Sequence, residues 1–118
     1  MSDAAVRRLQ RLARRLLELG VWLSEGRGAL PEMADACRDA YYSALHLLAA
    51  TGGEGACAVQ GWRRRSFRPD ALPRVAERLL VEGQEATSLL PESPEAQDLI
   101  GALERLRDAA AARAGAVR

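Results

Sequence analysis

Apolar residues return every three to four positions over most of this chain. Val6, Leu9, Leu12, Leu16, Leu19 and Leu23 form one such series, with Arg7, Arg8, Arg11, Arg14, Arg15 and Glu18 between them. That period marks an amphipathic helix. It is predicted from Asp3 to Ser24, with Ser2 or Asp3 as N-cap and Gly26 and Gly28 beyond its end. A second helix opens at Pro31, a residue suited to a first turn, where Glu32 and Asp35 favour the dipole. Its stripe is Ala34, Cys37, Tyr41, Leu45 and Leu48, widened by Ala40, Ala44 and Leu47, and it stops at Thr51-Gly52-Gly53. A third helix is predicted from an Asp70 cap to Leu90, carrying Leu72, Val75, Ala76, Leu79, Leu80, Ala86 and Leu90. Gly83 weakens it and Pro91 stops it. Ser93-Pro94-Glu95 caps a fourth, with Ala96, Leu99, Ile100, Leu103 and Leu106 inward, fraying before Gly115. Short connections at 24–31 and 91–93 make antiparallel neighbours. The prediction is an all-α, antiparallel four-helix bundle, one domain spanning 1–118. Residues 52–69 form a long irregular stretch with room for a short extra helical turn at Ala56–Gln60.

Composition narrows the chemistry. Hydrophobic residues are 48% of the chain and aromatics 4%, so the core must be aliphatic. All 17 basic residues are arginine, which excludes Schiff-base chemistry and lysine-assisted phosphate sites. Gly52-Gly53-Glu54-Gly55 therefore lacks the lysine of a phosphate-cradling loop, as well as the strand before it. A single histidine cannot supply the paired Glu-x-x-His ligands of carboxylate-bridged bundles, so neither metal nor cofactor is expected. Net charge is +1, too small for a global pull toward polyanions. The charge is uneven, though: residues 61–68 hold four arginines and no acid. Cys37 and Cys57 match no zinc or redox spacing and read as free thiols in a reducing cytoplasm. No signal peptide and no membrane span is expected, because the chain opens on an arginine-rich amphipathic helix and has no long apolar run.

Two groups of residues could carry chemistry. Arg38, Tyr42 and His46 recur four apart on the second helix, a ladder that drifts about 80° from first to last. A histidine exchanges protons near neutral pH, and a neighbouring arginine holds a phosphate. Together they suit metal-free phosphodiester cleavage, the histidine removing a 2′-hydroxyl proton and the arginine stabilising the charged phosphorane. The same residues have a plainer reading: His46 as a half-buried polar packer, Arg38 as partner of Asp35 or Asp39. The second group is Trp62, Arg63, Arg64, Arg65, Phe67 and Arg68. Arginines interleaved with aromatics stack bases and neutralise phosphates, or the aromatics anchor a solvated basic loop to the bundle.

The run Arg-Asp-Ala-Tyr-Tyr-Ser-Ala-Leu-His-Leu-Leu at 38–48 resembles the motif helix of HEPN-domain proteins, where an arginine precedes a tyrosine pair and a histidine ends an alanine-rich turn. Seven residues separate Arg38 from His46, a longer spacing than the family pattern. The resemblance implies a small cytoplasmic helical bundle that binds or cleaves RNA or nucleotides. It implies Arg38 and His46 as catalytic pair with Tyr42 in support, a homodimer through this helix, and a nucleotidyltransferase-type protein partner, as in toxin–antitoxin pairs. Two other readings stay open. One is a non-catalytic helical interaction module of adaptor or antitoxin type. The other is a histidine phosphotransfer-like domain, which His46-Leu47-Leu48 also resembles, although Ala49 stands where that family has a lysine.

Overall fold

The structure is a computed structural model that describes residues 3–26, 31–51 and 59–116. Ser2, Gly28, the glycine run at 52–55, Cys57 and most of the Ala56–Gln60 turn lie outside the described residues; Val59 and Gln60 are irregular. Four helices carry the fold: α1 (Asp3–Ser24), α2 (Pro31–Ala50), α3 (Leu72–Thr87) and α4 (Pro94–Ala116). Among the described residues there is no strand. The fold class is the expected one, an all-α four-helix bundle.

The helix boundaries have local causes. Gly26 takes the left-handed conformation (φ 77°), and its N–H donates to Leu23 O, closing α1. The Ser93 hydroxyl accepts the Ala96 N–H at 3.1 Å, the cap expected for α4. α3 departs from expectation at both ends. Asp70 sits inside a 3-10 turn (Pro69–Ala71) and pairs with Arg68 instead of capping the helix. At the other end, the Thr87 and Ser88 hydroxyls donate back to Gly83 O and Glu85 O, and α3 gives way to turns before Pro91.

Each helix touches two others. α1 packs on α2 and α3, α4 packs on the same pair, and the diagonal partners make at most passing contact. Directions follow from the cross-links. Arg8 meets Glu85 and Arg15 meets Glu82, so α3 runs opposite to α1. Arg105 meets Asp39 while His46 shares a groove with Asp98, so α4 runs opposite to α2. With α1 and α2 joined as a hairpin, the order is up, down, down, up, and every neighbouring pair is antiparallel. Such an order requires the α2–α3 connection to travel the length of the bundle. The residues between α2 and α3 make that crossover, and from Val59 to Arg68 they are irregular. Its described part climbs alongside α1, with Gly61 beside Arg14, Arg63 at Glu18 and Phe67 on Trp22.

The core is aliphatic. Leu9, Leu12, Leu16, Leu19 and Leu23 of α1, and Leu99, Leu103 and Leu106 of α4, are fully buried. Burying each such side chain contributes about 1.5–3 kcal/mol, against about 0–1 kcal/mol for an exposed ion pair. Packing therefore holds the bundle and the surface arginines decorate it. α2 is rotated from its expected stripe. Met33, Ala36, Cys37, Ala40, Ala44, Leu47 and Leu48 are buried, while Ala34, Tyr41 and Leu45 sit at the margin. The alanines face inward because α2 lies against both α1 and α4, where small side chains permit close approach.

Gly83 has the same explanation. A Cβ there would fall far inside van der Waals contact of the fully buried Leu103 Cδ1, with Ile100 and Leu12 each 3.7 Å away. The glycine that weakens α3 by propensity is thus what lets α4 pack. Gly83→Val is expected to destabilise the protein by about 1–3 kcal/mol through overpacking. Urea denaturation measures this, and an unchanged midpoint would contradict the packing.

Candidate functional site

The outer face of α2 carries the ladder. Arg38 is exposed and pairs with Asp35 at 3.0 Å. Tyr42 exposes 52% of its surface and stands edge-on to Tyr41, ring centroids 5.4 Å apart. Partial burial, and then proximity to Tyr42, push the Tyr41 hydroxyl above its usual pKa. His46 is exposed and makes no hydrogen bond or ion pair among the described residues. It is therefore not the half-buried packer of the plainer reading, whereas Arg38 does pair with Asp35 as that reading expects.

Two grooves flank this face. One, of about 260 Å³, runs between α1 and α2 and is lined in part by Leu17, Gly20, Cys37, Arg38 and Tyr42. The other, of about 420 Å³, runs between α2 and α4 past Tyr42, Ser43, His46, Asp98 and Arg105. Arg38 lines the first, His46 the second, and Tyr42 is the crest shared by both. Within one chain the arginine and the histidine do not converge. The cause is the drift of a four-residue ladder around a helix of 3.6 residues per turn.

The crossover is tied to α1 by one buried acid. Glu18 is 6% exposed and accepts the Arg63 backbone N–H at 3.0 Å, with Arg65 Nη1 at 3.4 Å. Arg64 pairs with Glu25, and Arg68 with Asp70 at 3.4 Å. Phe67 packs edge-on against Trp22, centroids 5.7 Å apart, and Arg65 lies over the Phe67 ring at 5.2 Å. Trp62, 42% exposed, faces outward. Of the two aromatics, Phe67 is the anchor and Trp62 is available to a ligand. Three of the four arginines already have an internal carboxylate, and the Arg63 side chain has none among the described residues. Arg15 and Arg78 border the same stretch at Phe67. Nothing in their own sequence surroundings marks them, because only the path of the crossover brings Arg65 to them.

Cys37 is not a nucleophile in this setting. It is fully buried, its Sγ donates to Leu16 O at 3.3 Å, and burial pushes its thiol up to about 12. Among the described residues no three of His, Cys, Asp and Glu gather as a metal site, and no helix is long and apolar enough to cross a membrane. Comparison with protein-family models, with curated proteins and with solved structures finds no match for this chain.

Glu18→Ala leaves the Arg63 N–H without its acceptor and should lower stability by about 1–3 kcal/mol, with Glu18→Gln losing less because it keeps an acceptor. Equal losses in urea denaturation would show that the bond to Arg63 does not matter. Folding raises the Cys37 pKa from 9.0 to about 12. The stability it contributes is therefore complete below about pH 9 and lost as pH climbs toward about 12. In a Cys57→Ser background, Cys37 should resist a thiol reagent at about pH 8 until the protein is unfolded. Rapid labelling of the native protein would contradict its burial.

Proposed function

We propose that this protein is a helical interaction module that pairs with a second copy of itself through the outer face of α2. The observation that carries this reading is Tyr42. It is one of five aromatics in the chain, and it stands half exposed on the crest between two grooves. A large amphipathic ring in that position is a common interface anchor. In a two-fold pairing of antiparallel α2 helices centred on Tyr42, each position is opposed by the one equally far on the other side. Arg38 and His46 lie four residues either side of Tyr42, so each copy's arginine would face the other's histidine.

That symmetry favours a second reading, HEPN-like binding or cleavage of RNA, in which the dimer reunites the pair that a single chain separates. His46 would take the 2′-hydroxyl proton and Arg38 would hold the phosphate. The Arg38–Asp35 pair is exposed on both sides and worth only about 0–1 kcal/mol, so a phosphate could displace it. A nucleotidyltransferase-type partner and a cytoplasmic setting belong to this second reading.

Sedimentation tests the first reading. The wild type should be a dimer at micromolar concentration. Tyr42→Glu should be a monomer of unchanged helicity, since truncating an interface anchor costs about 2 kcal/mol or more. A monomeric wild type sinks the pairing. For the second reading, metal-free RNA cleavage by the wild type should vanish in both His46→Ala and Tyr42→Glu. Activity that survives either change would remove the composite centre.

A further inference from the structure

Where the crossover passes between α1 and α3, a small cleft of about 140 Å³ is lined by Arg15, Arg65, Phe67, Val75, Arg78 and Leu79. Its three arginines come from three segments: α1, the crossover and α3. Two are held from behind. Arg15 pairs with Glu82 at 2.6 Å, and Arg65 lies 3.4 Å from Glu18 and over the Phe67 ring. Neither carboxylate is part of the lining. Arg78 has no hydrogen bond or ion pair among the described residues. The charged part of the lining is therefore wholly positive, and its other walls are apolar.

We propose that this cleft binds a phosphate group. Each guanidinium carries five N–H donors in a planar fork matched to phosphate oxygens. The ion pairs from behind use one N–H of Arg15 and one of Arg65, which leaves further donors on each. Those same pairs hold the two forks in place before a ligand arrives, so less order has to be created on binding. Phe67, Val75 and Leu79 lower the dielectric on the protein side of the cleft, which strengthens the attraction there, while Arg65 and Arg78 stay exposed to an incoming ligand. The wider field assists. The described parts of α1, the crossover and α3, with their turns, hold eleven arginines against seven acids, whereas α2 and α4 hold four against seven. An anion is drawn to the side of the molecule where the cleft lies. The site is on the α1–α3 side and does not depend on pairing through α2.

The test is an NMR titration of the arginine side-chain Nε–Hε signals with inorganic phosphate at constant ionic strength, chloride making up the balance. Arg15, Arg65 and Arg78 should shift together and saturate, while Arg7 and Arg113 stay in place. Arg78→Gln removes the cleft's one unpaired guanidinium without breaking a hydrogen bond or ion pair among the described residues. It should weaken phosphate binding about tenfold, the loss of a charge-assisted hydrogen bond, while Arg113→Gln should not. Uridine 5′-monophosphate and a 5′-phosphorylated oligoribonucleotide identify the source of the phosphate. Tighter binding of either, still dependent on Arg78, assigns the cleft to a nucleotide or RNA end. Equal binding assigns it to free phosphate. Shifts that never saturate, that spread over all exposed arginines alike, or that survive Arg78→Gln unchanged would overturn the proposal.

Discussion

The carboxylate of Glu18 ties the crossover to α1, and the course of that crossover sets the surfaces of the bundle. Two hairpins, α1–α2 and α3–α4, would bury an aliphatic core in several arrangements. The one adopted runs up, down, down, up, and it requires a connection that climbs the whole bundle. Such a segment is exposed and irregular, and it has few ways to satisfy its own backbone. Glu18 supplies a fixed point midway, buried at the surface of α1, accepting the Arg63 N–H and drawing in Arg65. Phe67 on Trp22 supplies the second anchor, one turn of α1 further on.

The surfaces open to partners follow from that path. Because the crossover lies along α1 and reaches α3, arginines distant in sequence meet at one cleft. Among the described residues nothing covers the outer side of α2 at Tyr42, which stands half exposed between two grooves. The molecule is polarised in consequence, basic where the crossover runs and acidic across α2 and α4. The proposed pairing through α2 and the proposed phosphate cleft use different sides, and one can hold without the other.

Much of this was legible in the sequence. The heptad-like leucines of α1 and α4 are buried as their spacing predicts, and Ser93-Pro94 caps α4 as its chemistry predicts, but Val6 and Ile100 sit at the margin and Glu18, expected on the polar face of α1, is buried. The drift of Arg38 from His46, about 40° for each four-residue step, was also legible, but that drift left open whether the two share a groove, and the structure places them in two. What could not be read were the non-local choices. The inward face of α2 turned toward Ala40 and Ala44 because two neighbours approach it, and its local pattern of larger side chains points to Tyr41 and Leu45. Asp70 has the chemistry of a cap, but Pro69 starts a 3-10 turn there and Arg68 takes the carboxylate. The arginines of 63–68 look like a solvated basic run until the crossover's course sets Glu18 and Glu25 beside them.

The most direct test of this account is amide hydrogen exchange at one residue. Among residues 59–68, Arg63 is the one whose backbone N–H has a protein acceptor. Its amide should exchange markedly more slowly than those of Trp62 and Arg64, an isolated protected site within an exposed, irregular stretch. If Arg63 exchanges as fast as its neighbours, Glu18 does not hold the crossover against α1, and the arrangement built on that contact is wrong.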